Sequence, residues 1–177
     1  MAQLIISALG PDRPGIVGEL TAHLHAAGGN ILDSRMVNLR GEFAIMVLLE
    51  VADAAAGRKL AGELPGVGAK MNLQLSVTPQ EAAPRARGGI PYRLKTYSMD
   101  QPGIVARLTG VLRGLGVNIE ELTARQESAA FAGSPLFVTE MLVTVPGDVA
   151  ISKVRGELEA VGNELNCDVD LDPAESA

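Results

Sequence analysis

Asp12-Arg13-Pro14-Gly15-Ile16-Val17 and Asp100-Gln101-Pro102-Gly103-Ile104-Val105 are two versions of one hexapeptide. They lie 100 − 12 = 88 residues apart, and the register holds beyond them. Leu20 matches Leu108, Thr21 matches Thr109, Leu24 matches Leu112, Gly28 matches Gly116, Asn30 matches Asn118 and Ile31 matches Ile119. A chance match would not keep its register so far. A chain of 177 residues can hold one domain or two small ones. The repeat decides for two, each of roughly 80–90 residues, small but large enough to fold.

Outward from the first copy, Gln3 to Ala8 is a compact apolar run that reads as a buried strand. The hexapeptide is then a turn that opens a helix, with Pro14 in the first turn and Asp12 as a cap for free N–H groups. Ile16, Val17, Leu20, Leu24 and Ala27 share one helical face, and Gly28-Gly29 stop the helix. Asn30 to Leu39 and Phe43 to Val51 predict two strands joined by a turn at Arg40-Gly41-Glu42. A second helix is expected from Ala54 to Leu64, ended by Pro65-Gly66-Val67-Gly68, and then a strand from Met71 to Val77. The order β-α-β-β-α-β, with two right-handed crossovers, gives a four-stranded antiparallel sheet with both helices on one face.

The expected boundaries are 1–78 for the first domain, 79–91 for a Pro/Gly-rich linker, 92–172 for the second domain and 173–177 for a tail. In the second copy Tyr92 to Met99, Asn118 to Arg125, Phe137 to Val145 and a short run at Val169 and Leu171 are the strands. Helices follow Gln101-Pro102-Gly103 and span Ile151 to Leu165. Phe43 corresponds to Phe137, an offset of 94, so the second copy carries 94 − 88 = 6 extra residues within 127–135. That loop, with its aromatic Phe131, is a candidate contact element.

The composition excludes several functions. The net charge is −6 with no basic run, so direct nucleic-acid binding is not expected. The single cysteine, Cys167, excludes an intramolecular disulfide and a multi-cysteine metal site, and its apolar surroundings point to a buried residue. His23 and His25, two apart on a helix, face different directions and cannot share a metal. No hydrolase elbow, zinc motif or dinucleotide fingerprint is present. Neither catalytic residues nor a metal or cofactor are expected. Met1 leads into Leu4-Ile5-Ile6 without a cationic segment, and no run approaches the ~18 apolar residues of a membrane span. A cytoplasmic protein is expected.

The duplicated turn does carry chemistry. Gly15 and Gly103 lack a Cβ, so a ligand can approach the backbone, and the first-turn N–H groups of the helix favour an anion. Asp12 and Asp100 suit an ammonium group, and Asn30 and Asn118, expected beside the same turn, supply amides. A carboxylate acceptor, an ammonium acceptor and an amide in one crevice describe a site for a free amino acid. Asp-x-Pro-Gly is equally a good helix start and Gly-x-Asn-Ile a good helix stop.

Strand, Asp-x-Pro-Gly-Ile-Val, helix and Gly-x-Asn-Ile, twice within βαββαβ units, resemble the ACT domain, a regulatory amino-acid-binding module with a ferredoxin-like α+β fold. Two such domains without a catalytic domain resemble the glycine cleavage system transcriptional repressor group. So does Gly133-Ser134-Pro135-Leu136-Phe137 after a long loop. The resemblance implies a cytoplasmic regulator that senses an amino acid such as glycine and acts through a partner transcription factor. It also implies a ligand site between modules, which carries over to Asp12, Gly15, Ile16, Asn30 and Ile31 and to Asp100, Gly103, Ile104, Asn118 and Ile119. Arg13 against Gln101 marks a difference between the two sites. A detached regulatory subunit of an amino-acid biosynthetic enzyme is the alternative, and a pure assembly platform a third. Exposed sheet edges invite pairing, within the chain or between chains, and a homo-oligomer is expected.

Overall fold

The computed structural model describes residues 1–80, 88–127 and 135–174. The chain divides into two compact units, Met1–Pro84 and Arg85–Ala177. In the first, β1 (Ala2–Pro11), α1 (Ile16–Ala26), β2 (Asn30–Leu39), β3 (Glu42–Val51), α2 (Ala54–Met71) and β4 (Gln74–Gln80) form an antiparallel sheet of order β2-β3-β1-β4. The second unit repeats it with β5 (Gly89–Met99), α3 (Ile104–Gly114), β6 (Asn118–Glu127), β7 (Leu136–Pro146), α4 (Ile151–Leu165) and β8 (Cys167–Pro173), order β6-β7-β5-β8. This is the expected βαββαβ order in both copies.

Alternation along the strands builds each core. Leu4, Ile6 and Ala8 of β1 and Phe43, Ile45, Val47 and Leu49 of β3 point one way. They meet Ile16, Leu20 and Leu24 of α1 and Leu60, Leu64 and Met71 of α2, so both helices cover one face. Val17, expected on that inner face, stands at its exposed margin. In the second core Leu94, Met141 and Val143 meet Leu108, Leu112, Val154 and Leu158. The second unit also buries Thr96 and Thr139, whose hydroxyls bond each other at 2.6 Å, and the free thiol of Cys167. The β2–β3 turn has Arg40 and Gly41 both at positive φ, the form that suits the twist of a two-residue hairpin.

The second helix differs from expectation. It does not stop at Pro65 but runs to Met71, with Asn72 as a left-handed cap. Its buried residues, Gly57, Leu60, Leu64, Gly68 and Met71, keep one helical stripe through the proline. Packing of Gly68 and Met71 outweighs the backbone hydrogen bond that Pro65 cannot make. A Cβ on Gly68 would lie 2.6 Å from the Leu73 carbonyl oxygen, so the close helix–strand contact itself needs glycine. The strands also reach into the expected linker: Pro79 and Gln80 belong to β4, and Gly89, Ile90 and Pro91 to β5. The linker's 81–87, most of the loop with Phe131, Gly133 and Ser134, and the tail's 175–177 lie outside the described residues.

Candidate functional site

Each copy places its turn at the end of the first strand of its sheet. Gly15 and Gly103 are the N-caps of α1 and α3, at φ 87° and 95°. An L-side chain rarely adopts that conformation, so the backbone alone accounts for both glycines. Space is open there as well: a Cβ on Gly103 would meet nothing within 4 Å, and one on Gly15 only Glu19 Oε1 at 3.9 Å. Ile16 N–H bonds the Arg13 carbonyl at 3.3 Å. The N–H groups of Val17 and Gly18, and of Ile104, Val105 and Ala106, take no backbone acceptor among the described residues. Unengaged amides at a helix start are groups to which an anion can hydrogen-bond.

Asp12 does not cap the helix. Its N–H bonds the Gly41 carbonyl at 2.7 Å, and its carboxylate accepts from Asn38 Nδ2 at 2.5 Å. The second copy repeats the device: Asp100 accepts from Gln126 Nε2 at 2.5 Å, and its N–H bonds the Pro135 carbonyl. In both copies the repeated aspartate fastens the turn to the far end of the second strand of its sheet. Asn38 and Gln126 stand 88 residues apart (126 − 38), so the repeat register carried the signal for them, as amides following the shared aspartates.

Asn30 and Asn118 do not join the turns within their own units. Asn30 pairs with Glu50 and Glu50 with Gln3, whereas the turn follows Pro11. From Gln3 to Pro11 the strand advances 11 − 3 = 8 residues, about 26 Å. The sequence placed both groups in one crevice because α1 separates them by few residues; a helix that crosses back over the sheet delivers the chain to its opposite end. Asn30 and Ile31 instead line a concavity of about 400 Å³ with Gly18, Thr21, His25 and Gly29 along α1. Asn118 donates to Glu120 Oε1 at 2.7 Å. That bond and one from Thr144 hold the Glu120 carboxyl below the usual carboxylate range. Ile16 and Ile104 are core residues under the turns, 2 % exposed, and Ile31 and Ile119 start the second strand of their sheets.

The Arg13/Gln101 difference has a structural counterpart. Arg13 forms a two-pronged pair with Glu19, Nη1 at 2.7 Å and Nη2 at 2.6 Å, over the start of α1. The hydrogen bond to Arg13 lowers the Glu19 pKa, and the hydrogen bond from Glu19 raises that of Arg13. In the second copy Gln101 Nε2 donates to the Leu165 carbonyl at 2.5 Å, and Arg107, at the position of Glu19 (107 − 88), pairs with Glu164. The second turn is thus tied to the end of α4, while the first holds its charges within its own turn and helix.

A trough of about 720 Å³ crosses the helix-free face of the first sheet, lined by Leu9, Arg35, Val37, Ala44 and Met46. It rests on Ser7 and Leu9 of β1, Arg35 and Val37 of β2 and Ala44 and Met46 of β3, a mixed polar and apolar set that the sequence does not mark as a face. No cluster of metal-binding side chains and no helix long and apolar enough to cross a membrane occurs among the described residues.

Residues 2–78 match the family profile of the ACT domain. Over 163 residues the chain is 29% identical to the glycine cleavage system transcriptional repressor of Escherichia coli (strain K12), covering 92% of this chain and 85% of that protein. A crystal structure of an unknown protein from Galdieria sulphuraria is 30% identical and superposes with a TM-score of 0.80, covering 98% of each chain. A candidate glycine cleavage system transcriptional repressor of known structure is 21% identical with a TM-score of 0.74 over 99% of this chain and 98% of its own, which shows the fold.

Proposed function

We propose that this chain, whose residues 2–78 match the ACT domain and whose second unit repeats the same fold, is a non-enzymatic regulator that binds a small amino acid, glycine or similar, and relays its presence to a protein partner. The ligand carboxylate sits on the first-turn amides of α1, and its ammonium group meets Asp12. The equivalent groups in the second copy are those of α3 and Asp100. Asn30, Ile31, Asn118 and Ile119 lie at the other end of the sheet from their own turns, so they do not share in this contact within one module. The observation that carries the reading is the twice-built turn. In each copy unengaged helix-start amides lie beside an exposed aspartate whose side-chain partner is a neutral amide. An ammonium group is a stronger partner for that carboxylate than an amide.

Asp12 also fastens the end of β2, so a ligand that takes its carboxylate competes with Asn38 and shifts the population of strand arrangements that a partner reads. The partner is a transcription factor controlling glycine or one-carbon metabolism in the cytoplasm. Two observations support that reading: the Escherichia coli relative is a glycine cleavage system transcriptional repressor, and the net charge of −6 suits contact with a protein better than with DNA. Residues 1–78 and 92–172 act as the two sensing modules, and the chain works as a homo-oligomer.

Isothermal titration with the twenty amino acids tests the reading. Glycine or a close relative binds the intact chain, and Asp12→Asn with Asp100→Asn abolishes binding while leaving the fold intact by circular dichroism. No binding by any amino acid would overturn it.

A further inference from the structure

The trough on the helix-free face of the first sheet crosses all four strands, on two neighbouring rows of facing residues. Arg35, Met46, Ser7 and Ser76 form one row, from β2 through β3 and β1 to β4. Val37, Ala44, Leu9 and Gln74 form the next. Among the described residues, Arg35 is the one charged side chain that lines the trough. Leu9, Val37 and Met46 are 48–55% exposed, so its apolar groups face solvent. The duplication supplies an internal control. The same rows of the second sheet read Thr123, Glu140, Lys95 and Asp170, then Arg125, Val138, Tyr97 and Asp168. Five of those eight are charged, against one of eight in the first sheet. There Glu140 takes Lys95 at 3.8 Å and Arg125 at 3.1 Å, so ion pairs cover the face. The first sheet has no such cover over its trough, and a contiguous apolar surface rimmed by polar groups marks a binding site.

We propose that this trough binds an amphipathic carboxylate, its head group on Arg35 and its hydrocarbon chain laid across the strands over Met46, Ala44 and Leu9. Charge selects the head group. The lining cation is a guanidinium, whose planar fork matches a carboxylate. Asp33 already meets Arg35 at 3.0 Å, but the two side chains are 57% and 73% exposed, and an ion pair so exposed holds its partner weakly. A carboxylate anchored by its own chain competes with Asp33 for the guanidinium. Sheet geometry selects the length. From β2 to β4 there are three interstrand steps, about 14 Å, which an unbranched chain of about ten carbons spans. The volume of about 720 Å³ falls in the range of small-ligand sites, which pair apolar walls with a few placed polar groups. The site lies on the sheet face opposite the helices, and the inference is independent of the amino-acid reading.

Isothermal titration of the full chain with decanoate, below its micelle concentration, and with the neutral decanamide tests it. The variants Met46→Glu and Arg35→Thr put into the first sheet the residues that the second carries at those positions, and both sites are exposed, so the fold accommodates them. Decanoate binds the wild-type chain at one site and shifts the Met46 methyl resonance. Met46→Glu weakens it about tenfold by setting a like charge on the floor of the trough. Arg35→Thr weakens decanoate about tenfold and leaves decanamide unchanged, whereas Arg35→Lys keeps the preference for the anion. A wild-type chain that does not bind decanoate, variants that bind it like the wild type, or an Arg35→Thr chain that loses decanamide equally would overturn the proposal. So would sedimentation showing a wild-type dimer that Met46→Glu dissociates, since the face would then belong to a second copy of the chain.

Discussion

Changing Gly103 to alanine separates what the turn's backbone demands from what a ligand would demand. Gly103 sits at φ 95°, ψ −2°, and a Cβ there meets nothing within 4 Å. No clash contributes, so the cost is conformational. A left-handed L-residue costs about 1–2 kcal/mol. Removing glycine also restricts the unfolded chain, which returns about 0.4–1 kcal/mol. The net loss is about 0.8 kcal/mol at the middle of both ranges, a fall of about 3–6 °C in the midpoint of a domain this size. Gly110 provides the control. It lies in the interior of the same helix, its φ is ordinary and its Cβ direction is also open. Alanine there stabilises by about 0.5–1 kcal/mol. One substitution, seven residues apart (110 − 103), thus has opposite signs. The assay reads the second domain alone, because the chain has no tryptophan and its two tyrosines, Tyr92 and Tyr97, both lie on β5. Urea unfolding followed by tyrosine fluorescence gives both midpoints. A Gly103→Ala chain as stable as wild type, with Gly110→Ala no more stable, would refute the backbone account of this glycine.

Three further outcomes are expected. Thr96→Val or Thr139→Val alone strands a buried hydroxyl and costs about 1–3 kcal/mol, whereas the double variant recovers most of the loss, measured as a double-mutant cycle by the same fluorescence. Arg13→Gln removes the hydrogen bond that lowers the Glu19 pKa, so that pKa rises toward the ordinary carboxylate value, read by carboxyl NMR titration; an unmoved titration would refute the pairing. Asp53 caps α2 through the N–H groups of Ala55 and Ala56, and those bonds lower its pKa. Its folded pKa is below the unfolded one, so its stabilisation is present above the unfolded carboxylate pKa and is lost as pH falls through the folded value. Calorimetry of Asp53→Ala against wild type shows a gap in the first domain's midpoint at neutral pH that closes in acid.

Much of the site was legible because it is local. The repeat placed both glycine turns, both helix starts and the Arg13/Gln101 difference, and the structure puts each where the pattern required. The parts that failed depend on where the chain goes beyond its local stretch. Adjacency points Asp12 at its own helix, yet its carboxylate accepts from Asn38, 26 residues on, since β2 returns to that corner of the sheet. Local propensity makes Pro65 a stop, yet burial of the stripe that continues to Met71 carries the helix through it.

The sequence alone determined two βαββαβ units, their cores and the chemistry of the repeated turn, because periodicity and turn residues act over a few positions. Tertiary structure decided which ends of the elements meet. It separated Asn30 from Asp12 by the length of the sheet, tied the second turn to the helix before its last strand, and left all ten residues of the edge strand β2 exposed. Each of these follows from sheet order, and strand neighbours far apart in sequence are fixed only when the whole sheet packs against its helices.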